Sequence, residues 1–243
     1  MTDPRIATIA RQLTAARRSG SRITLTDTPR DVEEGFAVQE QIAAALASPV
    51  AGWKVNEWPD GRVVFAPILQ AGVIAAGGLW TVTGGEPAGI ELEIAFRMAR
   101  DVPPEATPEQ VLDCVASAHV VYELCQSHLA DPAAAPRHVG LADFISNVGL
   151  VVGPEFTEWR TRDLKSVPGR LLVDGKLHCE GHSADPIRAL QLLPAALATR
   201  GKGLAAGQVV ITGSLIGMNW LKGRHTLTGI IDGLGEIGLN LAA

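Results

Sequence analysis

The sequence predicts an α+β fold, with a small helical lobe over residues 1–50 ahead of a strand-rich body over residues 51–243. Three observations carry this reading. Residues 4–18 and 31–46 repeat apolar side chains at helical spacing. After Ala51 glycines become dense (Gly52, Gly61, Gly72, Gly77, Gly78, Gly84, Gly85, Gly89) and bound short alternating segments. Helices and strands then mix without a regular β-α-β rhythm.

The elements follow in order. Residues 4–18 place Ile6, Ile9, Ala10 and Leu13 on one helical face. Asp31, with Glu34 three positions on, forms a capping box for a helix running to about Leu46, whose inner face is Gly35, Val38, Ile42 and Leu46. Thr107-Pro108-Glu109-Gln110 supplies a cap, a first-turn proline and a capping-box glutamine, and opens a helix near 108–118. Leu171-Leu172-Val173 and Lys176-Leu177-His178 flank Asp174-Gly175, a pair that tolerates the positive φ of a type I′ turn, so this stretch reads as a hairpin. Asp185-Pro186 starts a helix that reaches Arg200 and stops at Gly201, with Pro194 set to kink or shorten it. Residues 208–214 and 224–241 return to strands.

Composition excludes several functions. The 243 residues are 47% apolar and 19% charged, enough for a real core. A formal net charge of −5 points away from nucleic-acid binding. No run approaches the roughly 18 apolar residues of a membrane span. The first residues, with Asp3 and no apolar core, do not read as a signal peptide. Cys114, Cys125 and Cys179 form neither a disulfide framework nor a zinc knuckle, so a reduced, cytoplasmic protein is expected.

The sharpest local feature is the segment 89–98. Ile90, Leu92, Ile94, Phe96 and Met98 alternate with Glu91, Glu93, Ala95 and Arg97. In a strand this puts both glutamates on one face, about 7 Å apart along the chain. Such a pair suits a hard divalent cation with oxygen ligands, and the segment alone also reads as a solvated strand face. Glu123 sits inside the apolar run His119–Cys125, where a buried, ionised carboxylate needs an arginine or a shared metal. Lys54, between Trp53 and Val55, can project toward that cluster and hold a substrate carboxylate or a developing oxyanion, or simply stand on an exposed face.

Taken together, Gly52-Trp53-Lys54, the segment Ile90–Phe96, Glu123, Ala142-Asp143 with Asn147, and Ile211-Thr212-Gly213-Ser214 resemble the fumarylacetoacetate hydrolase superfamily. Gly35-Phe36-Ala37-Val38-Gln39 and Gly233-Leu234-Gly235-Glu236-Ile237 extend the resemblance over nearly the whole chain. Within the superfamily it is nearest the branch of 2-oxopent-4-enoate hydratases and 4-oxalocrotonate decarboxylases.

The resemblance implies a mixed β-roll behind the helical lobe, and Mg²⁺ or Mn²⁺ held by Glu91, Glu93 and Glu123. It implies Lys54 and Glu91 as catalytic residues. Lys54, Asp143, Asn147, Thr212, Gly213 and Ser214 would contact a small 2-oxo acid, whose carbonyl the metal polarises. The implied activity is a hydratase that adds water to a 2-hydroxy-2,4-dienoate or 2-oxo-enoate in the catabolism of aromatic compounds. A decarboxylase, a C–C bond hydrolase and a catalytically reduced 2-oxo acid binder are the alternatives. Family members commonly form homo-oligomers. The chain departs from the branch at Pro67, where many hydratases carry an aspartate, at Phe144, where an asparagine is frequent, and in a short 58–62 segment.

Other motifs carry less. The six histidines (His119, His128, His138, His178, His182, His225) are scattered and read as structural or surface groups, without the histidine–glutamate pair of the hydrolase arm. Gly233–Gly238 matches G-x-G-x-x-G, but too few residues follow for a dinucleotide site, so those glycines serve a strand turn.

Overall fold

The computed structural model describes residues 3–243. The chain order is α1 (Pro4–Ser19), α2 (Val32–Leu46), β1 (Val50–Glu57), β2 (Val63–Leu69), β3 (Val73–Ala75), β4 (Leu79–Thr81) and β5 (Ala88–Met98). Next come α3 (Pro108–Asp113), β6 (Val115–Cys125), α4 (Arg137–Ala142), β7 (Asn147–Phe156), β8 (Pro168–Val173) and β9 (Lys176–His182). The last elements are α5 (Pro186–Ala198), β10 (Val209–Ser214), β11 (Asn219–Leu221), β12 (Arg224–Ile231) and β13 (Gly235–Ala242).

The helix signals act as local chemistry requires. Asp3 caps α1 by accepting the Arg5 N–H at 2.8 Å, and Gly20 ends the helix with a φ of 70°. Asp31 caps α2 by accepting the Glu34 N–H at 2.9 Å, but Glu34 reaches back to the Arg30 N–H rather than to Asp31, so the expected box is one-sided. The Arg30 guanidinium, paired to the same carboxylate, draws it there. At α3 the Thr107–Gln110 box is reciprocal. This helix ends at Asp113, however, not near 118: Val115 onward forms ladders with β5 and β7, which a helix would forgo. The last helix runs through Pro194 and ends at Ala198, two residues short of the expected Arg200. The β8–β9 hairpin turns at Asp174 and Gly175 with φ of 51° and 76°. Gly233 lies in the β12–β13 connection, and a strand, not a helix, follows it.

Two sheets form a mixed β-roll. The larger has eight strands in the order β2-β1-β10-β5-β6-β7-β3, with β11 added beside β5. It curls far enough that β2 meets β7. The smaller has five strands, β4-β13-β12-β8-β9. Ile90, Leu92, Ile94 and Phe96 pack with Leu171, Leu227, Ile237 and Leu239 of the smaller sheet in the main core. Gly229 makes the close approach possible, since a Cβ there would meet Leu92 and Tyr122.

The opposite face of β5 is not solvated. Curling wraps it around a second core of Ile68, Ala95, Val121, Leu150, Val209 and Ile211. The helical lobe has its own core, in which Ile6, Ile9, Leu13, Val38 and Ile42 meet Ala66, Leu129, Val139, Ala142 and Phe144. The lobe therefore packs on β2 and on the segment leading into β7. No helix among the described residues is long and apolar enough to cross a membrane.

Candidate active site

Register decides which side chains share the inner face of the curled sheet. Lys54 of β1 pairs with Ile211 of β10, and Ile211 pairs with Ala95 of β5. Directly paired residues point the same way, so Lys54 stands on the face of Ala95, Glu93 and Glu91. Glu91 in turn lies directly opposite Glu123 of β6, and Glu93 opposite Val121. Two like charges directly opposed across a ladder repel, so the pair needs a cation between them or a proton on one of them.

Lys54 meets part of that need. Its Nζ donates to Glu123 Oε1 at 2.9 Å, stands 2.7 Å from Oε2, and reaches Glu91 Oε2 at 3.3 Å and the Ile145 carbonyl at 3.5 Å. Asn147 Nδ2 also donates to Glu123 Oε1, at 2.9 Å. Glu123 is fully buried, and its Oε2 accepts no hydrogen bond of good geometry.

The electrostatics follow from burial. Desolvation would drive the Lys54 ammonium down, but Glu123, then Cys125, Glu91 and Glu93, hold it well above its ordinary value. Burial pushes Glu91 up to about 7 against the pull of Lys54, with Glu123 adding repulsion. Burial likewise holds Glu93 well above the carboxylate range, reinforced by Glu123 and Glu91 and opposed by Lys54 and the Gly213 N–H.

This donor set fits a divalent cation. Three carboxylates face one ammonium, which leaves an excess of negative charge in a buried place once they ionise. A carboxylate oxygen on Glu91 and one on Glu123 lie, together with Cys125 Sγ, within 4.8 Å of one another. Among the described residues no other such group of three exists. In this compact set Cys125 stands where the sequence reading has Glu93. Glu93 is on the same face but turns Oε2 to the Gly213 N–H at 2.6 Å. The signal for Cys125 was present: it lies two residues beyond Glu123 on one strand, hence on the same face.

The remaining expected residues divide. Asn147 and Gly213 join the carboxylates. Asp143, Thr212 and Ser214, the other expected substrate contacts, each have protein partners for their polar atoms. Asp143 Oδ1 accepts from Arg17 Nη1 at 2.7 Å and lies 3.0 Å from His128 Nδ1, while Oδ2 accepts the His128 backbone N–H at 2.8 Å. Burial raises this carboxyl, yet His128 and Arg17 outweigh it and keep Asp143 below its ordinary range. Thr212 Oγ1 donates to the Ile94 carbonyl at 2.7 Å. Ser214 Oγ donates to the Gly217 carbonyl at 3.1 Å. Gly213, at a φ of 110° in the irregular register of β10, aims its N–H at Glu93, a backbone shape that favours glycine.

Pro67 is buried on β2 opposite Trp53, and Phe144 is buried beneath Arg17, so neither supplies a polar group to the cluster. Arg17 and His128 carried no local signal, because only the tertiary fold brings them to Asp143.

Residues 48–241 match the model for the fumarylacetoacetate (FAA) hydrolase C-terminal family, and the chain belongs to that family. It is similar to a 2-keto-4-pentenoate hydratase of Burkholderia vietnamiensis, with 27% identity over 97% of each chain. Among solved structures, its fold is similar to that of 4-oxalocrotonate decarboxylase from Pseudomonas putida G7, complexed with magnesium and adipate. There the TM-score is 0.88 at 17% identity, over 99% of this chain and 98% of that one. Fumarylpyruvate hydrolase from Pseudomonas aeruginosa, in complex with Mn²⁺ and pyruvate, gives a TM-score of 0.62 at 19% identity, over 80% of this chain and 91% of that one.

Proposed function

We propose that this protein is a divalent-metal-dependent lyase of the hydratase type, adding water to a 2-hydroxy-2,4-dienoate or 2-oxo-enoate. The observation that carries the reading is the buried cluster of Glu91, Glu93 and Glu123 facing one ammonium, Lys54, on the inner face of the roll. Similarity to a hydratase over 97% of both chains supports the reaction type. Glu91, Glu93 and Glu123 would hold Mg²⁺ or Mn²⁺, which when bound supplies Lewis-acid polarisation of a 2-oxo group.

The chain's own residues do the rest. Lys54 keeps its proton at Nζ and offers a fixed positive charge to a substrate carboxylate or to the oxygen where negative charge develops. Asn147 orients Glu123 by its hydrogen bond, and the Gly213 N–H orients Glu93. Lys54, Glu93 and Glu123 are buried, and burial strengthens the interactions between these charges. We place the reaction in the cytoplasm, within aromatic-compound catabolism, in a homo-oligomer.

The apolar residues at Pro67 and Phe144 favour one second reading, a binder of 2-oxo acids with reduced turnover. One assay separates the two. With Mg²⁺ or Mn²⁺, a hydratase consumes the ultraviolet absorbance of a conjugated 2-hydroxydienoate, and Glu91→Gln or Glu93→Gln abolishes the loss. A binder only raises the melting temperature. Evolution of CO₂ from a 2-oxo diacid would assign a decarboxylase instead. Metal-dependent turnover that survives both glutamine substitutions refutes the site assignment.

A further inference from the structure

Three consecutive residues, Phe144, Ile145 and Ser146, hold φ angles of 57°, 53° and 66°. Left-handed backbone without glycine is strained, and it persists only where its surroundings over-determine it. The surroundings here are dominated by one guanidinium from the helical lobe. Arg17 Nη1 donates to Asp143 Oδ1 at 2.7 Å and to the Asp143 carbonyl at 3.3 Å. Its Nη2 donates to the Asn147 carbonyl at 2.5 Å. Arg17 thus ties the residue before the left-handed run to the residue after it. Its Cζ also stands 4.1 Å from the centroid of the Phe144 ring, inside the run. The His128 backbone N–H and Nδ1 close the other side of Asp143.

What this turn presents is the acidic site. Asn147 Nδ2 donates to Glu123 at 2.9 Å, and the Ile145 carbonyl accepts from Lys54 Nζ at 3.5 Å.

We propose that Arg17 is a positioning residue of the active site, a clamp that holds the left-handed turn in the shape that sets Asn147 on Glu123 and the Ile145 carbonyl on Lys54. None of the hydrogen bonds or ion pairs of Arg17 goes to Glu123 or Lys54, so its influence passes through the turn. The planar fork matters, because two carbonyls and a carboxylate are engaged from two nitrogens of one rigid group. A lysine ammonium keeps the charge and loses that geometry. The helical lobe is therefore part of the site and not only a cover on the roll. A cavity of about 230 Å³, lined in part by Arg17, Phe144, Asn147 and Val148, adjoins the guanidinium. It gives a small ion a route to the space that truncation of Arg17 leaves.

The affinity arm of the test rests on the metal-site reading, and the exchange arm does not. Mn²⁺ is titrated into the full chain and followed by the electron paramagnetic resonance of the free ion, for wild type, Arg17→Ala, Arg17→Lys and Asn147→Ala. Amide hydrogen exchange is followed over residues 143–149 in the same proteins without metal. Both Arg17 variants should bind Mn²⁺ about 10–100-fold more weakly, the scale of a lost partner to a metal ligand. Both should also exchange faster over the turn.

Guanidinium ion added at millimolar concentration should restore Mn²⁺ affinity to Arg17→Ala and leave Asn147→Ala unchanged, a rescue that general loss of packing does not show. Adding Arg17→Ala to Asn147→Ala should weaken Mn²⁺ binding no further. If Arg17→Ala does not fold, Arg17→Lys carries the comparison. Arg17→Ala is then also made with Ile145→Gly, which accepts positive φ without strain. Wild-type Mn²⁺ affinity in a folded Arg17 variant overturns the proposal, as does unchanged exchange over the turn. If wild type itself takes up no Mn²⁺, the metal-site reading fails, and exchange alone decides whether the clamp exists.

Discussion

Lys54→Met removes the charge of Lys54 and keeps roughly the length of the side chain. In the metal-free protein Lys54 Nζ stands 2.7 Å from Glu123 and 3.3 Å from Glu91. Its loss leaves the fully buried Glu123 with Asn147 as its remaining side-chain donor. Removing one partner of a buried ion pair costs about 3–5 kcal/mol. For a chain of this size each kcal/mol moves the midpoint by about 2–4 °C, so a drop of roughly 6–20 °C is expected in EDTA.

The pH dependence has a definite sign. Glu91 is held up at about 7 in the folded chain, above its ordinary 4.5, so the folded state keeps a proton that the unfolded state has released. Metal-free stability therefore falls as pH rises through that window. Without Lys54 to pull it down, Glu91 rises further, and the deficit of Lys54→Met should be larger at pH 8 than at pH 6. Saturating Mn²⁺ should recover more stability in the variant than in wild type, because the ion then meets one more uncompensated negative charge. Thermal unfolding followed by near-ultraviolet circular dichroism, with EDTA or MnCl₂ at both pH values, measures all of this. A variant that melts with wild type in EDTA at pH 8 would refute the view that Lys54 neutralises the cluster.

Three further outcomes are expected. Gly52→Ala would drive a Cβ into the backbone carbonyl of Val209, on the strand pair that carries Lys54 beside Ile211, and neither backbone can yield cheaply. It should cost about 3 kcal/mol in urea unfolding, and a midpoint equal to wild type would show that β1 and β10 are less tightly apposed. Tyr122→Phe deletes a buried hydroxyl that has no hydrogen-bond partner, so stability should rise by about 1 kcal/mol; a marked loss would reveal a partner for that hydroxyl. Asp143, held below its ordinary pKa by His128 and Arg17, contributes stability above about pH 4 that is lost as pH falls through its folded value. Asp143→Asn should thus destabilise the chain at pH 7 by about 3–5 kcal/mol and flatten its acid unfolding, and an unchanged acid limb would contradict the ion pair.

Much of the fold was legible because the signals are local. The alternation of Ile90 through Met98 needs only the two-residue repeat of a strand, and β5 spans Ala88–Met98. Asp174-Gly175 needs only positive φ, which both residues adopt. Thr107 and Gln110 needed only each other to open α3. The end of that helix was not legible, because partners on β5 and β7, distant in sequence, decide that Val115–Cys125 is a strand. The second face of β5 was ambiguous for the same reason. Its alternation suits a solvated side as well as a cation site, and only the curl of the sheet buries Glu93 and Ala95.

The sequence by itself determined the residue types of the site and their parity along each strand. Glu91 and Glu93 had to share a face, Cys125 had to share one with Glu123, and Lys54 had to oppose Trp53 and Val55. Register, curl and lobe placement were decided by the tertiary structure. They set Glu91 opposite Glu123, brought Lys54 between them, gave Asp143 to Arg17 and His128, and turned Gly213 toward Glu93. The physical reason is that parity is a property of one strand's backbone. The cost of burying a carboxylate depends on every charge and donor that the rest of the chain places around it.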